Sequence, residues 1–274
     1  MKLTNTHNIS DIYAVYFNEA DKSGNIERNE PIPLDSIELD MSAYHEDDIE
    51  VLRNDIIDII EQSRAERKVT KPDPIAALFC NLDRDFGEGD QPVSLRDYQK
   101  LEQARVQEKF RSNRIGTLNE LMATLLPNIE ASSAGQLDLI IKDLNGEPTA
   151  LVEVKNRFNT MNAGSHARLR TEMDRLVMHR GGTYTGCEAI LAERIPKKDG
   201  KEQLYTPSNN ATGNRFEEND KIKRMGLDQL LSRYDKYAYL KGLIFIAQVM
   251  SGQGALPSDY DMSGIFELMH QSMN

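Results

Sequence analysis

The chain has 274 residues, of which 39% are hydrophobic and 28% charged, with a formal net charge of −11. That apolar share is enough for one sizeable core, while no apolar run approaches the roughly 20 residues that span a bilayer. A cytoplasmic protein with no membrane partner is therefore expected: residues 1–10 lack the apolar stretch of a signal peptide, and Cys80 and Cys187 are too few for a disulfide framework.

Residues 1–45 are polar and irregular. Asp21, Ser23 and Asn25 imitate a calcium loop, but its twelfth position is Ile32 rather than Glu, which excludes that reading. Ile49, Leu52, Ile56 and Ile60 recur at three- and four-residue intervals and predict a helix over 46–67. Asp73-Pro74 reads as the start of a second helix through 75–82, followed by a turn-rich connector over 83–92. Ser94 is placed to cap a long polar helix over 95–110. Leu118, Leu121, Met122 and Leu125 mark one face of another over 116–126, which Pro127 stops. Residues 1–70 are expected to form an acidic, partly helical region ahead of one domain over 71–274.

Strands are predicted over 136–142 and 148–155, with Asn145-Gly146 between them as a two-residue hairpin turn. A polar stretch leads into a helix over 166–180, ended by Gly181-Gly182. Residues 187–195 read as a strand, 197–200 as a turn and 201–206 as a candidate partner strand. After a polar loop over 206–220 come a helix near 227–234, a strand over 242–250 and a closing helix over 263–273. Helices lead, a sheet sits in the middle and helices flank it, which is an α/β or α+β arrangement.

The charge is uneven. Residues 1–60 hold 14 Asp/Glu against four Lys/Arg, whereas residues 151–240 hold 16 Lys/Arg against 12 Asp/Glu. Affinity for a polyanion depends on the local field at the contact surface, so the negative total leaves DNA open as a partner.

The hairpin holds the chemistry. With Asn145-Gly146 as the turn, Leu144 pairs with Glu147, Asp138 with Glu153, and Gln136 with Lys155. Alternation puts Glu153 and Lys155 on one face, with Val152 and Val154 on the other; Asp138 joins the Glu153 face as its cross-strand neighbour. Two adjacent carboxylates repel unless a cation lies between them. Oxygen ligands with room for water suit Mg²⁺, held by Asp138, Glu153 and the Val154 carbonyl. Glu120, on the preceding helix, is a candidate further ligand or partner of a metal-bound water. Lys155 would position the attacking water, or help deprotonate it, and would stabilise charge as the transition state forms. The same pattern also describes the exposed face of an edge hairpin with a cross-strand ion pair, and both readings stand at this point.

The segment GQLDLIIKDLNGEPTALVEVKNRFNT resembles the PD-(D/E)XK nuclease superfamily. EVKNRFNTMNAGS together with YTPSNNATGNR is similar to type II restriction endonucleases of the SinI and AvaII kind. The resemblance implies a restriction-endonuclease-like core, a central mixed sheet flanked by helices, with Asp138, Glu153 and Lys155 as the catalytic triplet and Mg²⁺ as cofactor. It further implies a homodimer in the bacterial cytoplasm that cuts double-stranded DNA at GG-any-CC or GG-(A/T)-CC, with a cognate DNA methyltransferase as functional partner. Leu137 stands where the superfamily name has Pro, and Pro72-Asp73 matches the letters but precedes a predicted helix.

Base readout needs paired donors or acceptors, such as Arg toward guanine and Asn or Gln toward adenine. Candidates for DNA contact are Asn156, Arg157, Asn159, Thr160, Asn162 and Ser165 after the catalytic strand, and Asn209, Asn210, Arg215, Lys221 and Lys223 further on. Phosphate and sugar contacts take at least half of such bonds. His166 and His179 have no partner at metal-ligand spacing, and no phosphate-binding glycine motif is present. A different nuclease on the same core, or a non-catalytic DNA-binding module, remains as an alternative.

Overall fold

The structure is a computed structural model that describes residues 6–17, 31–64, 94–132, 137–197, 199–209 and 211–273. The expected helix from Asp73-Pro74, the connector over 83–92, Gln136 and Asn210 lie outside these residues. The chain divides into two compact units, residues 58–115 and the remainder.

The larger unit opens with β1 (His7–Asn8) and α1 (Ile9–Phe17), then a short 3₁₀ turn and β2 (Ile37–Glu38), which pairs with β1 in parallel. Ile12, Tyr16 and Leu34 are buried in one cluster with Leu240, Ile244, Met262 and Phe266. The beginning of the chain thus packs with the closing helices as scaffold. Helix α2 (Glu46–Arg64) presents Leu52, Ile56 and Ile60 as its buried stripe, as their spacing predicts.

Helix α3 (Leu95–Thr124) is continuous, where two helices separated near 111–115 were expected. No Gly or Pro interrupts that stretch except Gly116, and a lone glycine costs a helix only about 1 kcal/mol. Ser94 does cap it: the Asp97 N–H donates to Ser94 Oγ at 3.2 Å, and the Ser94 hydroxyl donates to Asp97 at 2.5 Å. In the smaller unit, Gln107 donates to the Ser63 carbonyl at 2.8 Å, and Arg114 lies over the Phe110 ring.

The central sheet has six strands in the order β3-β4-β5-β6-β8-β7. They are β3 (Ile129–Ala131), β4 (Leu139–Lys142), β5 (Pro148–Arg157), β6 (Glu188–Ile195), β7 (Gln203–Leu204) and β8 (Ile222–Gly226). The middle pairs β5–β6 and β6–β8 are parallel and the outer pairs antiparallel, so the sheet is mixed, as expected. Strand β8 went unpredicted because KIKRMG hides its two apolar residues among charges. The 201–206 segment does supply a strand, but β7 pairs with β8 rather than with β6.

Helices flank the sheet. Helix α4 (Ala163–Met178) buries Met173, Leu176 and Val177 with Leu151, Ala189 and Ile222 of one face. The short α5 (Leu227–Leu231) leads to α6 (Ala238–Gly252), and α7 (Ser263–Met273) closes the chain. Residues 242–250 were expected as a strand and are helical within α6. An apolar run such as GLIFIAQVM has no readable period when it is buried nearly all round. Gly242 gives α6 room: a Cβ there would stand 2.7 Å from Met122 Sδ of α3.

Candidate active site

The register that joins the two carboxylates is present, but the turn differs from expectation. Leu139 pairs with Val152, Ile140 with Leu151 and Ile141 with Ala150, so the next opposition is Asp138 with Glu153. The loop, however, has three residues rather than two. The Asp143 N–H donates to the Glu147 carbonyl, Gly146 donates back to Asp143 and adopts φ 83°, the usual geometry of a three-residue hairpin. A bulge between Ile141 and Lys142 then restores the alignment.

Asp138 sits just before β4. Its Oδ2 accepts the Val154 N–H at 2.7 Å and lies 3.9 Å from Lys155 Nζ. Lys155 Nζ is 2.5 Å from Glu153 Oε1. All three side chains keep partial access to solvent, at 27%, 28% and 17% exposure for Asp138, Lys155 and Glu153. In a strand a residue's N–H and C=O point to the same side. The Val154 carbonyl therefore faces the Asp138 side too, where β4 has not yet begun.

Electrostatics sharpen the picture. Burial pushes the Glu153 carboxyl above its usual range, against the opposing bond to Lys155. Burial, helped by the charge of Asp138, pushes Glu120 up to about 7. Glu120 therefore senses the same charges as the pair on the hairpin. Among the described residues no group of three or more His, Cys, Asp or Glu is gathered closely enough to hold a metal by itself. The donor chemistry still fits Mg²⁺, which keeps several waters and takes one or two carboxylates plus substrate phosphates. Asp138, Glu153 and the Val154 carbonyl are the residues that would hold it.

A cleft of about 450 Å³ opens beside these groups, lined by Glu153, Lys155, Met161, Ser165 and Arg168 among others. Across the sheet, Lys155 pairs with Glu193 of β6, and Leu191 with Arg224 of β8. Glu153, Lys155, Glu193 and Arg224 therefore share one face. Glu193 is 1% exposed, and Arg224 Nη2 bonds both of its carboxylate oxygens, at 2.8 and 2.6 Å. On that face the lower part is apolar (Leu151, Ala189, Ile222) and the upper part, at the C-terminal ends of the parallel strands, is charged. Ligands of open α/β sheets bind at that end. Arg168, Glu193 and Arg224 were missed by sequence reasoning, because their placement depends on strand pairings between distant segments.

The DNA-contact candidates separate into groups. Arg157 ends β5, Asn159 and Thr160 follow it, all three are exposed, and the Thr160 hydroxyl donates to the Arg157 carbonyl. Ser165 is half-buried in the cleft with Lys155. Asn162 is the N-cap of α4 and accepts the Ser165 N–H at 2.8 Å, so its oxygen is already used structurally. Asn156 alternates to the other face, where its side chain accepts from Asn119 at 2.9 Å. Lys223 also lies on that other face, tied to Glu188 at 2.6 Å and Glu202 at 3.0 Å. The arrangement therefore does not bring Asn156 and Lys223 to the catalytic side. Lys221 is half-buried, and its carbonyl accepts the Ala189 N–H.

Asn209 and Arg215 belong to a loop held at its base by one buried side chain. Arg170 of α4 is 2% exposed. It donates to the Tyr205 carbonyl at 2.9 Å and the Glu217 carbonyl at 3.0 Å, pairs with Asp174 and lies over the Phe216 ring. The Asn209 side chain accepts the Ala211 N–H, while Arg215 stands exposed.

Residues 45–236 match the Eco47II restriction endonuclease family. The chain belongs to that family. This family member is similar to the type II restriction enzyme Eco47II of Escherichia coli, at 28% identity over 152 residues, which cover 55% of this chain and 59% of the relative. The match thus spans less than two thirds of the relative's length. The family match, over residues 45–236, takes in Glu120 through Arg224. None of the described helices of this family member is long and apolar enough to cross a membrane.

Proposed function

We propose that this chain is a type II restriction endonuclease that hydrolyses phosphodiester bonds in both strands of double-stranded DNA, with Mg²⁺ as cofactor. One observation carries the reading. Asp138, Glu153 and Lys155 meet at one end of the parallel strands, in a member of the Eco47II restriction endonuclease family. In this reading the core is of the PD-(D/E)XK type, with Asp138 as its first acid and Glu153-Val154-Lys155 as the second motif.

Asp138, Glu153 and the Val154 carbonyl would hold Mg²⁺, which would supply Lewis-acid polarisation of a phosphoryl oxygen and acidify the attacking water. Lys155 keeps a positive charge beside Glu153, where it orients the attacking water and offsets charge developing on the phosphate oxygens. Glu120, with its carboxyl pushed up to about 7, is suited to take the water's proton near neutral pH. Arg157, Asn159, Thr160 and Ser165 flank the catalytic strand and are the nearest side chains for reading base edges, with Arg157 suited to guanine. The target is GG-any-CC or GG-(A/T)-CC. A symmetric site of that kind is cut by a homodimer working beside a cognate DNA methyltransferase.

The test is plasmid digestion by the purified chain with Mg²⁺, with EDTA, and as the Lys155→Ala variant. Discrete fragments are expected only from the unaltered chain with Mg²⁺. Intact plasmid in every tube refutes the reading; nicking or structure-selective cutting points instead to another nuclease on the same core.

A further inference from the structure

A second cleft, of about 410 Å³, lies beside the catalytic row on the same side of the sheet. Its lining includes Ala163, His166, Tyr205, Ser208, Arg215 and Arg224. Two guanidinium groups on one cleft are unusual unless they face an anion, because like charges repel in a partly desolvated space. Among the described residues, Arg224 is engaged through Nη2, by Glu193, and Arg215 is exposed on the loop that Arg170 anchors.

Glu193 gives Arg224 its direction. The carboxylate is fully buried, so its full pairing with the guanidinium holds the side chain at one position. A buried charge pair is weak evidence for added stability but fixes geometry well. The cleft's far wall is built as firmly. The His166 ring nitrogen Nδ1 and the Tyr205 hydroxyl stand 2.7 Å apart, and the hydroxyl also donates to the His166 carbonyl at 3.3 Å. Burial and the nearby Arg224 push the His166 ring below its usual range, so it is neutral and does not compete with Arg224 for counter-charge at pH 7.

The position completes the argument. Arg224 is two strands from Glu153, directly across through Leu191, which at ordinary strand spacing is about 10 Å. That is on the scale of the separation between neighbouring phosphates of a DNA strand, so a backbone lying over Lys155 reaches this cleft without bending away.

We infer that this cleft is a phosphate subsite for the DNA backbone flanking the scissile position, with Arg224 and Arg215 as its cations and Glu193 as the positioning residue for Arg224. The inference rests on the nuclease reading above. Its contacts are to phosphate and not to bases, so its contribution is independent of sequence.

The experiment is metal-free binding of the full chain to two 30-bp duplexes, one carrying GGACC and one with no GG-any-CC site, over a range of KCl. Each phosphate contact contributes about 0.9 to the slope of log K against log[salt]. Arg215→Ala, an exposed change with little risk to the fold, is expected to lower the slope by about 0.9 per bound protomer on both duplexes. The double variant Glu193→Gln/Arg224→Gln, which leaves no orphaned buried charge, is expected to do the same. Unchanged slopes, or a loss confined to the GGACC duplex, overturn the subsite while leaving the nuclease reading intact. If the double variant does not fold, Arg215→Ala decides alone. A wild-type chain that binds neither duplex overturns the subsite, while the nuclease reading stands or falls by the Mg²⁺-dependent plasmid digestion.

Discussion

Asp138 has two tasks that separate under substitution. Its carboxylate accepts the Val154 N–H at 2.7 Å and is one of the two acids of the proposed metal site. Val154 is 5% exposed, so its N–H has no ready substitute acceptor in water. Asp138→Ala orphans that donor, at a cost of about 1–3 kcal/mol. Asp138→Asn keeps an oxygen in place and loses only the difference between a charged and a neutral hydrogen bond, roughly 1 kcal/mol. It also removes the charge that helps push Glu120 up to about 7, which returns part of that loss. Urea unfolding should therefore place Asn close to the unaltered chain and Ala clearly below it. Cleavage should not separate them. Either change removes an acid of the proposed metal site; at about 4 kcal/mol of lost transition-state stabilisation, single-turnover rates are expected to fall about 10³-fold for both. An Asn variant that cuts within tenfold of the unaltered chain refutes the assignment. Equal destabilisation by Asn and Ala refutes the structural half of the argument.

Other consequences are open to the same methods. The folded state holds the Glu120 proton more tightly than the unfolded chain does, so stability is lost as pH rises from the ordinary carboxylate range through about 7. Glu120→Gln should raise Tm at pH 8 and change it little at pH 4; a uniform shift at both would contradict this. Replacing Arg170 by Met removes two bonds from a charged donor to loop carbonyls. It should cost about 3 kcal/mol or more and should open the loop over 206–220 to proteolysis; a loop as resistant as before would count against the anchoring role. Gly242→Ala pushes a Cβ toward Met122 Sδ at 2.7 Å. Overpacking of about 1–3 kcal/mol outweighs a helix-propensity gain of about 1 kcal/mol, and Gly242→Ala should cost less when made in a Met122→Ala background.

The hairpin that carries the proposed site was legible because it is local. Alternation and a nearby turn signal place Asp138 opposite Glu153, and Leu139 through Ile141 do pair in that register. The route there differed: a three-residue loop and a bulge together give the alignment that a two-residue turn would have given directly. Helices with a clear apolar stripe, such as α2, were equally readable. Segments buried on all sides were not. Residues 242–250 carry no period that distinguishes strand from helix, and they lie in α6. Strand β8 has two charged residues in five, and each is answered by a partner far away in sequence: Lys223 by Glu188 and Arg224 by Glu193. Those pairings decide which candidates lie on the catalytic face and which, like Asn156 and Lys223, turn from it. They depend on a parallel β5-β6-β8 order that no local pattern encodes.

The proposed activity is site-specific, Mg²⁺-dependent cleavage by the Asp138–Glu153–Lys155 site. The decisive measurement is digestion of a DNA of known sequence with every fragment end mapped. Ends are expected at one fixed position within GG-any-CC or GG-(A/T)-CC, and none with Lys155→Ala. Ends scattered over unrelated sequences, or ends unchanged by Lys155→Ala, would contradict it.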